Sequence, residues 1–130
     1  MERYKQNPQD TLNRNTYKGT QNEEFVKFFA DYSAPFSALQ VGITYPDENY
    51  FISRKNTSAF VLEYVVSGKG FVEVEGKRES LSAGDVYLLQ PGKDHCYGAD
   101  KDNPYKKIWI NFNSKMFVNV VESFGLDKVV

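Results

Sequence analysis

A mainly β domain, a sandwich or barrel, is predicted by three features of the sequence. Between Phe36 and Phe112 short segments alternate apolar with polar residues. Glycine-containing turns separate these segments at intervals of about 8–12 residues. Aromatic residues make up 15% of the 130 residues, and each buried ring contributes a large area, so a chain of this length can build one core.

Residues 1–24 read as a polar arm. Leu12 is their only branched aliphatic, whereas Gln6, Asn7, Gln9, Asn13, Asn15, Gln21 and Asn22 crowd the segment. Such a stretch orders only by lying on the domain or on a ligand. The run Asn22–Ala30 predicts a short helix capped by Asn22, with Glu23 and Glu24 in its first turn. Phe25, Phe28 and Phe29 would share a face, and Pro35 stops it.

Strand signals then follow in series. Leu39, Val41 and Ile43 alternate up to a turn at Pro46–Asn49. Phe60–Val66 is rich in β-branched and aromatic residues and breaks at Ser67-Gly-Lys-Gly70. Phe71–Glu75 resumes the strand pattern, Glu75-Gly-Lys77 and Ser82–Asp85 turn, and Val86–Leu89 is an apolar run. Pro91–Asp94 turns into a short strand at His95–Tyr97. After the polar loop Gly98–Pro104, Tyr105–Phe112 alternates cleanly. A C-terminal helix is predicted over 114–125. Asn113 or Ser114 can cap it, Phe117, Val120, Val121 and Phe124 share one face, and Gly125 ends it with Leu126 beyond. The domain proper is expected over 25–130.

Composition excludes several function classes. The net charge of −1 and pI near 5.8 give no electrostatic basis for strong binding to nucleic acid or acidic lipid. One Cys forbids an internal disulfide and suits a reducing compartment. No apolar run approaches the ~18 residues of a membrane span, and no signal-peptide core is present, so a soluble, cytoplasmic protein without membrane contact is expected. The single His rules out metal sites needing two or more imidazoles. Cys96 beside His95 forms no dyad, because strand neighbours point to opposite faces.

Turn spacing carries the most specific signal. Glu63 precedes Gly70 by seven residues, and Gly84 is followed by Gly92 at +8 and His95 at +11. These segments resemble the two conserved barrel motifs of the cupin superfamily, a double-stranded β-helix or jelly roll. Pro91 falls one position later than in the general pattern. More narrowly, Tyr50-Phe-Ile-Ser-Arg54, Ser67-Gly-Lys-Gly70, Pro91-Gly-x-x-His95-x-Tyr97 and Trp109-Ile-Asn-Phe112 look like the sensor domain of AraC-type transcriptional regulators. The resemblance runs from about Gln40 to Phe124. Metal cupins offer His-x-His before the Glu of the first motif; here Asn56 and Ser58 stand at those positions. Glu63 and His95 alone make a poor transition-metal site, so neither metal nor cofactor is expected.

Strand parity puts Lys107, Trp109 and Asn111 on one face of their segment and Ile108, Ile110 and Phe112 on the other. A Lys/Trp/Asn face is odd for a core and ordinary for a carbohydrate site. In the arabinose-sensing member of the family, positions matching Arg54, Tyr97, Lys107 and Trp109 contribute to the sugar pocket. Thr44 matches a further one, and Lys107 departs from that member's His. Two cations near one aromatic favour a sugar acid or another anion. Structural readings stand beside these: Trp109 and Tyr97 as core aromatics, Arg54 as a surface ion-pair partner, and His95 as a turn cap.

The resemblance therefore implies a ligand-sensing domain that takes a sugar or sugar acid inside the barrel. It would relay that event to a helix-turn-helix DNA-binding domain not contained in this chain, with a homodimer expected. The alternative is a metal-free cupin enzyme of the sugar epimerase or isomerase type, with Glu63 and His95 or Tyr97 as its acid–base pair.

Overall fold

Alternating segments bury one face only by pairing side by side, and here they pair into two antiparallel sheets. The computed structural model describes residues 2–5, 16–18, 21–126 and 129–130. Strands β1 (Glu2–Lys5), β3 (Gln21–Lys27), β4 (Ser37–Pro46), β11 (Lys106–Asn113), β6 (Phe60–Ser67) and β9 (Val86–Leu89) form one sheet in that order. Strands β2 (Thr16–Lys18), β5 (Phe51–Arg54), β10 (His95–Ala99), β7 (Lys69–Val74) and β8 (Lys77–Ser82) form the other. Only β3–β4 and β7–β8 join strands consecutive in the chain; the remaining neighbours come from crossovers between the sheets. This is the predicted cupin-like jelly roll.

Inward positions of both sheets meet in one core, which contains Ile52, Val65, Val72, Leu81, Tyr87 and Leu89. The turns that bring these strands round use left-handed backbone at Gly68, where a Cβ would lie 2.4 Å from the Pro104 carbonyl oxygen. A second cluster lies on the outer face of the six-stranded sheet. Phe60 and Phe112 stack at 5.2 Å, Phe117 meets both edge-on, and Leu88 and Val121 close the group.

Helix α1 (Lys115–Phe124) supplies the lid of that cluster. Ser114 is its N-cap, accepting from the Phe117 N–H at 2.9 Å, and its own hydroxyl donates to the Pro35 carbonyl. Gly125 ends the helix in the left-handed region, its N–H bonded to the Val121 carbonyl. Phe124, expected on the same buried face, is 75% exposed. No helix among the described residues is long and apolar enough to cross a membrane.

The short helix expected over 22–30 is absent; that segment is strand β3, paired with β4 from Gln21↔Pro46 to Lys27↔Gln40. A lone helix there would have needed a surface for Phe25, Phe28 and Phe29. As a strand, Phe25 lies against Gly42, and its peptide groups complete the β4 ladder, while Phe28 and Phe29 remain exposed. Strands β1 and β2 pair along β3 and β5, so the described parts of residues 1–24 extend both sheets.

Candidate functional site

One end of the barrel interior is polar, and strand parity explains why. On β11 the inward residues are Lys107, Trp109 and Asn111; on β4 they are Gln40, Gly42 and Thr44. Glu63 on β6 faces Trp109 in register, Tyr97 and His95 come from β10, and Arg54 from β5. These strands enclose a cavity of about 90 Å³, whose walls include Arg54, Tyr97, Lys107 and Trp109. Glu23, Gln40, Tyr50, Glu63 and Asn111 complete its lining.

Lys107 sits at the centre and is 1% exposed. Its ammonium nitrogen lies 2.7 Å from Glu63 Oε2, an oxygen that also accepts from the Tyr87 hydroxyl. Three tyrosine rings surround the same ammonium, with centroids at 4.1 Å for Tyr97, 5.2 Å for Tyr50 and 5.4 Å for Tyr105. Burial lowers the Lys107 pKa, and the Glu63 carboxylate opposes that shift. Burial likewise raises the Tyr50, Tyr87 and Tyr105 phenols well above 10.0.

A second hydrogen-bond chain orients the wall. The Trp109 indole N–H donates to Thr44 Oγ1 at 2.8 Å, and the Thr44 hydroxyl donates to Glu23 Oε1 at 3.0 Å. The Trp109 ring closes on Gly42, where a side chain would meet it at 2.6 Å. Burial raises the Glu23 pKa, against lowering by Thr44, Lys107 and Arg54. Arg54 Nη1 donates to the Tyr97 hydroxyl at 2.9 Å.

Thr44 is fully buried and meets the cavity only through Trp109 and Glu23. His95 stands apart from this cavity, stacked on Tyr97 at 5.8 Å and lining a separate cleft that shares Arg54. It is 4% exposed, and neither ring nitrogen has a hydrogen-bond partner among the described residues, so it does not cap its turn. Burial, with Arg54 and Lys107 adding, lowers its pKa to about 4 and leaves the ring neutral at pH 7. Cys96 belongs to the opposite face of its strand, and burial raises its thiol pKa.

Sequence reasoning missed Glu23, Gln40 and Tyr50 as wall residues and weighed Glu63 as a metal ligand and as an acid–base candidate, not as part of a binding wall. Parity on β4 and β6 was the available signal for Gln40 and Glu63; nothing local marked Glu23, because its segment read as helix. A cupin-type metal does not fit these residues. Glu63 holds an ammonium, His95 lies on another cleft, and among the described residues no three His, Cys, Asp or Glu side chains converge.

A larger cleft of about 490 Å³ lies on the outer face of the six-stranded sheet, among Val26, Val41, Ile43, Leu62, Ile108 and Ile110. Its aliphatic walls offer contact area but few directed polar groups. The interior instead presents carboxylates, amides, an ammonium, a guanidinium, two phenols and an indole face, groups that hydrogen-bond and stack on a hydroxylated ring.

A sandwich of two antiparallel sheets with a polar pocket at one end of its interior is a barrel of the cupin-like type. The chain belongs to the AraC-like ligand binding domain family, whose model matches residues 37–129. It is 28% identical over 97 residues to a lactose operon transcription activator of Staphylococcus xylosus, covering 75% of this chain and 33% of that protein. It is 32% identical over 80 residues to the raffinose operon regulatory protein RafR of Pediococcus pentosaceus, covering 60% and 29% respectively. The chain thus spans about a third of the length of the curated relatives it matches. Among solved structures it resembles a predicted oxalate decarboxylase from Thermotoga maritima, with TM-score 0.61 and 14% identity over 85% of this chain and 90% of that one. It also resembles a cupin 2 conserved barrel domain protein from Rhodopseudomonas palustris, with TM-score 0.55 and 16% identity over 85% and 68%. At such identities the likeness establishes the fold alone.

Proposed function

We propose that this chain is the effector-sensing domain of an AraC-type transcription regulator and binds a small sugar or sugar acid inside the barrel. The observation that carries the reading is the polar cavity between Arg54, Tyr97, Lys107 and Trp109 in an otherwise apolar core. Relatives named for lactose and raffinose operons support a carbohydrate effector. Thr44 is assigned the role of fixing Trp109 and Glu23, and His95 that of a buried acceptor or donor behind Tyr97. The regulator would work as a homodimer in the cytoplasm, where its helix-turn-helix domain reaches DNA. Residues 1–24 form the arm and 25–130 the sensor, with Glu23 carrying the end of the arm into the site.

A cavity of 90 Å³ is well below the ~300 Å³ at which ligand pockets usually begin. A ring larger than that space enters with displacement of the wall. Ligand and displacement are then thermodynamically coupled, and the displaced form becomes the populated one at saturating ligand. That coupling is the signal relayed to the DNA-binding domain.

The epimerase alternative is disfavoured because Lys107 and Tyr87 occupy Glu63, and His95 stands on a different cleft. Trp109 is the one tryptophan and lines the cavity, so its emission reports on the site. Titration with neutral sugars and sugar acids is expected to give a saturable change with one compound class, the ligand being recovered unaltered. A flat signal with no thermal stabilisation across the panel would refute the sensor reading, and turnover of a ligand would restore the enzyme.

A further inference from the structure

Within that sensor reading, on which this inference rests, we propose that the barrel takes an uncharged hydroxylated ring and rejects the carboxylate form of the same sugar. Two carboxylates, Glu63 and Glu23, already balance the two cations, Lys107 and Arg54. Lys107 is the cation a ligand carboxylate would seek. Its ammonium is held by Glu63 at 2.7 Å, and both side chains are almost wholly buried. The rings of Tyr97, Tyr50 and Tyr105 cover it on further sides. An anion taking the place of Glu63 at the ammonium would strand a buried carboxylate together with the Tyr87 hydroxyl.

Arg54 does not make up the difference. Its guanidinium is engaged with the Tyr97 hydroxyl at 2.9 Å, and it shares the cavity wall with Glu23. Glu23 is fixed as an acceptor, because the Trp109 indole donates to Thr44 and leaves the Thr44 hydroxyl to donate onward. The lining thus holds two cations and two carboxylates, and His95 behind Tyr97 is neutral at pH 7. A net-neutral wall attracts no extra charge, and a ligand carboxylate near Glu23 or Glu63 meets like charge. Sugar hydroxyls, by contrast, can donate to both carboxylates and accept from the Gln40 and Asn111 amides.

Calorimetric titration of the chain at pH 7 with matched pairs, galactose against galacturonate and glucose against glucuronate, tests the inference. For whichever pair binds, the neutral member is expected to bind at least about 100-fold more tightly than the acid. An acid that binds as well as or better than its neutral partner would overturn the inference and leave the sensor reading intact. If no member of any pair binds, the sugar reading falls and this inference with it. Glu23→Gln keeps the acceptor for Thr44 and removes one negative charge, and its fold is checked by thermal melting. It is expected to narrow the neutral-to-acid ratio about 10-fold; an unchanged ratio in the folded variant would contradict the charge-balance argument.

Discussion

Replacing Lys107 by Met removes the cation at the centre of the barrel while keeping most of the side-chain volume. Glu63 would then be a buried carboxylate supported by the Tyr87 hydroxyl alone, at a position only 3% exposed. Removing one partner of a buried ion pair usually destabilises by about 3–5 kcal/mol. The ring contacts at 4.1, 5.2 and 5.4 Å are lost as well. Against a total stability of roughly 5–15 kcal/mol, that loss is severe but measurable. Glu63→Gln added to Lys107→Met withdraws the orphaned charge, and Gln still accepts from Tyr87, so the double variant should lie only about 1–2 kcal/mol below wild type. Urea unfolding of the four proteins closes a double-mutant cycle, with an expected coupling of about 2 kcal/mol or more. Additive effects, or a Lys107→Met loss under about 1 kcal/mol, would refute the central pair as a fixed element of the site.

Three further outcomes follow from the same geometry. His95 falls from a pKa of 6.5 to about 4 on folding, so the unfolded chain takes up its proton first as pH drops. Stability should therefore decline between about pH 6.5 and pH 4, by ~3 kcal/mol from this group. His95→Phe should flatten that limb in acid denaturation, and an unchanged profile would contradict the burial assigned to the ring. Gly42→Ala would set a Cβ 2.6 Å from the Trp109 ring and 2.8 Å from the Glu24 carbonyl oxygen. A loss of about 1–3 kcal/mol with shifted Trp109 emission is expected, and a wild-type melt and spectrum would count against this packing. Ser114→Ala removes both the acceptor for the Phe117 N–H and the donor to Pro35, and should cost about 1–2 kcal/mol in urea unfolding. No measurable loss would mean that the cap contributes nothing.

Between residues 60 and 125 the fold was legible because the relevant information is local. Clean alternation marked β11, β-branched and aromatic enrichment marked β6, and an apolar run marked β9; glycine turns separated them, and Ser114 and Gly125 bounded α1. Strand β3 was not legible, since Phe25, Phe28 and Phe29 carry a helical spacing and only the distant β4 decides otherwise. The exposure of Phe124 was equally hidden, because periodicity defines a face without saying how far the covering sheet extends. The same division holds at the site. Parity on one strand brought out Lys107, Trp109 and Asn111, and the family resemblance added Arg54, Tyr97 and Thr44. What joins them is non-local: Trp109 bonds to Thr44 across 65 residues and Arg54 to Tyr97 across 43. The neutralisation of Lys107 by Glu63 depends on two strands lying in register, which no single segment records.

The central claim is that ligand binds inside the barrel rather than on the apolar outer face of the six-stranded sheet. Nuclear magnetic resonance of the ¹⁵N-labelled chain tests it directly, because Trp109 gives a single indole N–H signal, here bonded to Thr44. Titration with the neutral sugar that binds should move that signal saturably, together with the amides of Gly42, Thr44, Tyr97 and Lys107. A stationary indole, with shifts gathered instead at Val41, Ile43, Ile108 and Ile110, would place the ligand outside and contradict the account.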